Sequence, residues 1–151
     1  MRVTKLLIIT YLFIWPLWAV GQGNTMIEVK SKHSVRETVT KLKETIESKG
    51  LNLFAVIDHA AAADKSGLDL RPTTLVIFGN PKVGTLLMQA DQKMGIELPL
   101  KFLIRETEAG GTVISYKDPE TYLRDYDLAE RAEVIANVRK ALAGLSSAAS
   151  Q

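Results

Sequence analysis

From Met26 the chain alternates apolar and charged positions, Ile27 and Val29 against Glu28 and Lys30, which is the period of a half-buried strand. The period then lengthens. Val35, Val39, Leu42 and Ile46 recur at helical spacing and form one apolar stripe. Ser34 with Glu37 supplies a capping box at its start, and Gly50 supplies the left-handed residue that closes it. Leu51 to Ile57 is apolar and partly β-branched, a buried strand. It runs into Asp58-His59 and four alanines, Ala60 to Ala63, which suit a short helix or a loop equally well.

Arg71-Pro72 interrupts the chain before Thr73 to Phe78, a second strand of strong β formers. Gly79-Asn80-Pro81 then reads as turn, N-cap and first helical residue. Val83, Leu86, Leu87, Ala90 and Met94 are expected on the inner face of that helix, with Gly95 closing it. Leu100 to Glu106 and Thr112 to Tyr116 form a hairpin around a glycine-bearing loop. Asp118-Pro119 starts a short helix carrying Tyr122 and Leu123. Asp127 with Glu130 resembles a further capping box, opening a helix whose stripe is Leu128, Ala132, Ile135, Val138 and Leu142. Residues 144–151 are small and polar and read as a flexible tail. The expected fold class is α+β, a single sheet with helices packed on it, in the order β-α-β-β-α-β-β-α-α over residues 26–143.

The first residues follow another rule. Arg2 and Lys5 precede an apolar run from Leu6 to Val20, and small residues at Ala19 and Gly21 follow. That is the order of a secretory signal peptide, expected to span residues 1–21 and to be cleaved near Gly21. The run is shorter than the roughly 20 apolar residues of a spanning helix. The alternative is an N-terminal segment retained as an anchor. With cleavage the expectation is an exported protein, periplasmic or secreted, with no stable membrane insertion.

Charge changes the picture little. Of 19 basic and 17 acidic residues, two of the basic ones lie in the signal segment, so the remainder is balanced. A neutral domain of mixed signs gives no electrostatic reason to expect nucleic acid as a partner. The chain has no cysteine, which excludes disulfides, thiolate metal sites and a cysteine nucleophile. Two histidines with scattered carboxylates match no zinc or iron spacing, and no metal or cofactor is expected.

Five separated stretches carry a resemblance. They are Asp58-His59-Ala60-Ala61-Ala62, then Gly67-Leu68 with Arg71-Pro72, then Phe78-Gly79-Asn80-Pro81, then Leu98-Pro99-Leu100-Lys101, and then Ser115-Tyr116-Lys117-Asp118-Pro119. In this order they resemble the domain-of-unknown-function 302 family, over roughly Ile27 to Leu142. The resemblance implies a compact α+β domain, often a homodimer, and it carries no catalytic residue to this chain.

Candidate chemistry gathers at strand ends. His59 has the pKa range of an acid, a base or a ligand-binding group, while Asp58 beside it equally suits a cap on the following turn. Asn80 opens a helix whose free N–H groups favour an anion, although Pro81 removes one donor and no glycine-rich phosphate loop is present. Lys101 shares a strand face with Leu103 and Arg105, where its amine could meet an acidic ligand or simply solvate the sheet. Tyr116, Tyr122 and Tyr126 suit a ligand wall, a dimer contact or core packing. Strand ends of a sheet collect ligands. The expected function is therefore an exported small-ligand-binding module of the cell envelope. Its pocket, near Asp58, His59, Asn80, Lys101 and Tyr116, would take a small-molecule or anionic ligand. The alternatives are an enzyme using His59 as general acid/base and a protein-interaction domain acting as a dimer.

Overall fold

A computed structural model describes residues 25–151. The signal-peptide expectation lies outside the described residues. The chain runs β1 (Met26–Ser31), α1 (Val35–Ser48), β2 (Asn52–Asp58), α2 (His59–Lys65), β3 (Thr73–Gly79) and α3 (Pro81–Ala90). It continues through β4 (Leu100–Glu106), β5 (Thr112–Lys117), α4 (Tyr122–Asp125) and α5 (Ala132–Ser150). Short 3-10 turns at Gln92–Ile96, Pro119–Thr121 and Ala129–Arg131 lead into β4, α4 and α5.

The strands form one five-stranded sheet in the order β1-β5-β4-β3-β2, antiparallel throughout. Because β1 and β2 lie on opposite edges, α1 must cross the whole sheet. It does so on the face where α5 packs beside it. That face holds the core: Val76 and Phe78 of β3, Phe102 and Ile104 of β4, Ile114 and Tyr116 of β5, under Leu42 and Ile46 of α1 and Val138 and Leu142 of α5. Each such side chain contributes roughly 1.5–3 kcal/mol by leaving water. A smaller cluster of Leu87, Met94, Tyr122, Leu128 and Ile135 joins the Gln92–Ile96 turn and α4 to α5.

The capping box forms as expected. Glu37 N–H donates to Ser34 Oγ at 3.3 Å, and Ser34 N–H donates to Glu37 Oε2 at 3.0 Å. At the other end Gly50 sits at φ +66°, Gly50 N–H donates to Glu47 O and Leu51 N–H to Ile46 O, a Schellman closure. The alanine run resolves as the helix α2, because Asp58 Oδ1 accepts the Ala61 N–H at 2.9 Å and so opens a turn that alanine then propagates.

Three expectations are corrected. First, the helix after Asn80 stops at Ala90 rather than reaching Met94. Asp91 takes extended backbone and its side chain accepts the Lys93 N–H, starting a new turn. Leu86, expected on the inner face, is exposed, whereas Met94 is buried from that turn. Second, Asp127 does not cap the last helix: its N–H donates to Asp91 Oδ2, and α5 begins at Ala132 after a 3-10 turn, without a side-chain cap. Third, residues 144–151 are no flexible tail. α5 continues to Ser150, with Leu145 and Ala149 buried in the core and Lys32 N–H donating to Ser150 O. Val138, Leu142, Leu145 and Ala149 keep the helical spacing, so the apolar stripe outlasts the polar composition around it.

Candidate apolar binding cleft

The helix α5 is wider on its apolar side than the core requires. Val138, Leu142 and Leu145 face the sheet, and Val134, Asn137 and Ala141 stand one step round the same helix. Opposite them α3 leaves the carboxyl end of β3. Asn80 fixes that departure: its Oδ1 accepts the Lys82 N–H at 3.0 Å, and Pro81 occupies the first helical position. Between the two helices lies a cleft of about 630 Å³. Phe78 and Leu100, the paired residues where β3 ends and β4 begins, belong to its lining, as do Phe54 and Tyr122.

Gly79 and Gly84 are part of the lining. At Gly84 a Cβ would stand 3.4 Å from Leu98 Cδ1, so α3 lies within side-chain contact of the Leu98–Pro99 segment. At Gly79 a Cβ would stand 3.7 Å from the Phe54 ring and 3.8 Å from Pro99 Cβ, ordinary contact distances. The Leu98–Pro99 peptide bond is cis. The register between β2 and β3 shifts at Phe54, and that ring remains 51% exposed at the cleft mouth.

The lining contains no charged residue; its polar side chains are Asn80, Thr85, Tyr122 and Asn137. Volume and lining both fall within the range of small-molecule sites, roughly 300–1,000 Å³ and mostly apolar with a few polar groups. A charged network stands just behind it. Lys117 Nζ donates to Glu97 Oε1 at 2.6 Å and lies 5.0 Å from the centre of the Tyr122 ring, while Tyr126 Oη donates to Glu97 Oε1 at 2.9 Å. Burial, reinforced by the nearby Glu97 carboxylate, pushes the Tyr122 phenol well above its ordinary value. Burial and the hydrogen bond to Glu97 push Tyr126 up as well.

The residues singled out from the sequence do not converge. Asp58 pairs with Thr74 and Asn52 with Gly79, so the Asp58–His59 corner and the Asn80 turn occupy opposite ends of β3. At about 3.3 Å per residue, the six residues from Thr74 to Asn80 separate them by roughly 20 Å. One pocket joining these residues is not formed. Asn80 borders the apolar cleft. Asp58 caps α2 and borders a second, open concavity of about 850 Å³, where Lys32, Arg36 and Lys43 mix with Glu106. His59 is exposed on α2 and lines neither cavity. Lys101 Nζ donates to Glu97 O and Pro99 O, holding the entry to β4 from the sheet face opposite the core. Tyr116 is buried in the main core, edge-on to Phe102 at 4.9 Å, apart from the pair formed by Tyr122 and Tyr126 at 6.3 Å. His33 bonds through Nε2 to the Gln151 carbonyl oxygen. Among the described residues no group of three or more His, Asp or Glu side chains is arranged to hold a metal ion.

The cleft residues missed from the sequence are Gly84, Leu98, Val134, Asn137 and Ala141. Their one visible signal was a second line of small or apolar residues, Val134 and Ala141, running beside the stripe of α5.

Comparison with known proteins adds three findings. The sequence pattern of the family described as domain of unknown function DUF302 matches residues 27–145. Two Brucella proteins are 38% identical over 109 residues, one from Brucella suis biovar 1 and one from Brucella abortus biovar 1, each named fluoride-specific ion channel FluC 1. The chain spans 43% and 40% of their respective lengths, and the match covers 72% of this chain. The crystal structure of a conserved DUF302 protein from Bacillus stearothermophilus superposes with a TM-score of 0.76 at 19% identity, over 85% of this chain and 100% of that one.

Proposed function

The chain belongs to the DUF302 family, and from that premise we propose that its domain is a small-ligand-binding module of the cell envelope whose site is the apolar cleft between α3 and α5. The observation that carries this reading is the cleft itself: about 630 Å³ of space walled without a single charge. An apolar molecule entering it gains roughly 25 cal/mol per Å² of surface removed from water. Export is part of the proposal, supported by the order of basic, apolar and small residues from Arg2 to Gly21. Among the described residues no helix is long and apolar enough to cross a membrane.

The name of the Brucella proteins describes chains of which this one covers well under half. A fluoride ion is a poor occupant for this cleft, since an anion loses its hydration there and meets no cation.

Ala141 supplies the test, because it is exposed on α5, lines the cleft and belongs to neither core cluster. Replacing it with tryptophan fills the space while leaving the core stripe intact. Native mass spectrometry of the protein purified from its own envelope extract, with and without A141W, then reads occupancy. The expected result is a bound small molecule on the wild type that A141W lacks. An identical spectrum from both, with no bound mass, would remove the reading. The enzyme alternative built on His59 gains nothing from the geometry, for that imidazole faces open solvent away from both concavities.

A further inference from the structure

We infer that the cleft selects an uncharged, mainly hydrocarbon molecule bearing one oxygen acceptor, and that the Tyr122 hydroxyl donates to that oxygen. The inference rests on the reading of the cleft as a ligand site and names the chemistry it accepts.

Tyr122 is 4% exposed and its ring is packed into the second core cluster with Leu87, Met94 and Ile135. Its ring contacts are accounted for by Lys117 and Tyr126, but its hydroxyl has no hydrogen-bond partner among the described residues. A buried tyrosine ordinarily finds one. Nor is this hydroxyl walled off: among the described residues, the buried side-chain polar atom left without a partner is Arg131 Nε. A phenol that borders a cavity, is not sealed and has no protein partner is a donor kept for something that enters. The three other polar side chains of the lining, Asn80, Thr85 and Asn137, are all exposed, and Asn80 already spends its carbonyl oxygen on Lys82 N–H. Tyr122 is therefore the one buried polar side chain of the lining.

Charge is excluded by the same inventory. Lys117, whose Nζ lies 5.0 Å from the centre of the Tyr122 ring, does not line the cleft and is committed to Glu97 at 2.6 Å. A carboxylate drawn into the cleft would shed its hydration with no counter-charge to replace it. An ester or ketone oxygen sheds far less and regains one hydrogen bond. The phenol, whose proton is held tightly by burial, serves as donor over the whole physiological range.

The experiment uses the fluorescent probe N-phenylnaphthylamine on the full domain, displaced by three molecules of one chain length: methyl decanoate, decanoate and decane. In the wild type, methyl decanoate is expected to displace the probe at least about tenfold more tightly than decanoate. Tyr122→Phe is expected to weaken methyl decanoate roughly twofold to tenfold and to leave decane unchanged, which also shows that the cleft of the variant is intact. Failure of the probe to bind the wild type, or binding that A141W does not block, overturns the cleft reading and this inference with it. Probe binding at the cleft with decanoate as tight as the ester overturns the inference alone, and that arm needs no variant to fold. So does an ester affinity that Y122F leaves unchanged, or lowers no more than that of decane.

Discussion

Truncating Leu145 to alanine tests whether the last turns of α5 hold the domain together. Leu145 is 4% exposed and sits in the main core with Val138, Leu142 and Ala149. The substitution removes three carbon groups, each worth about 0.8 kcal/mol when buried, so the transfer loss alone is about 2.4 kcal/mol. A closed cavity would add to this, and Leu→Ala changes in sealed cores reach about 5 kcal/mol. Leu145 also borders the cleft, however, so the space it vacates opens into an existing concavity and the cavity penalty is small. The expected loss is therefore about 2–3 kcal/mol, at the low end of the range. Equilibrium unfolding in urea reads it directly: with a slope of about 1–3 kcal/mol per M, the midpoint falls by roughly 1 M or more. Leu68→Ala is the control, because Leu68 is 67% exposed and its loss is expected to stay within about 0.5 kcal/mol. If the two variants unfold together with the wild type, the final helix turns bear no load and the packing argument fails.

Other perturbations separate local from global terms. Ser34→Ala deletes the acceptor for Glu37 N–H, and about 1 kcal/mol of stability should go with it, read in the same urea titration. Gly50→Ala keeps open space around the new methyl but forces it to φ +66°, costing about 1–2 kcal/mol. Gly79→Ala, whose Cβ would make ordinary contacts with Phe54 and Pro99 and needs no positive φ, should be much milder. Glu28 is held below its ordinary pKa by the hydrogen bonds from Arg105 at 2.7 Å and Ser115 at 3.1 Å. A depressed carboxyl stabilises the fold above its unfolded pKa of about 4.3, and that contribution disappears as pH falls through the lower folded value. Glu28→Gln should thus destabilise near pH 7 and converge with the wild type under strong acid; a gap that persists with pH would contradict the assignment. Added salt should narrow the gap at neutral pH, since Glu28 is about half exposed.

The elements were legible in the chain because their signals are local. A capping serine with its glutamate, a glycine at a helix end and a proline after an asparagine each act within one turn. Ser34, Gly50 and Asn80 stand where their chemistry requires. The errors came where two local signals competed with a distant partner. Asp91 reads as one more polar residue on the outer face of a helix, yet it breaks α3 because its carboxylate serves Lys93 N–H and, across the fold, Asp127 N–H. The binding-site expectation failed for a related reason. Strand-end logic correctly located polar residues at sheet ends, but in an antiparallel sheet successive strands end on opposite sides. The corner closing β2 and the turn closing β3 therefore face away from one another. The same parity explains where the cleft must be. α3 leaves β3 at the end where β4 enters, and α5 returns over that end, so whatever separates the two helices opens onto Phe78 and Leu100. Its walls are small and apolar residues, the composition of an ordinary core, and nothing in one dimension distinguishes an apolar residue that packs from one that is left facing a gap. Only the spacing of Val134, Asn137 and Ala141 beside the buried stripe of α5 records that this helix has more face than the sheet beneath it can cover.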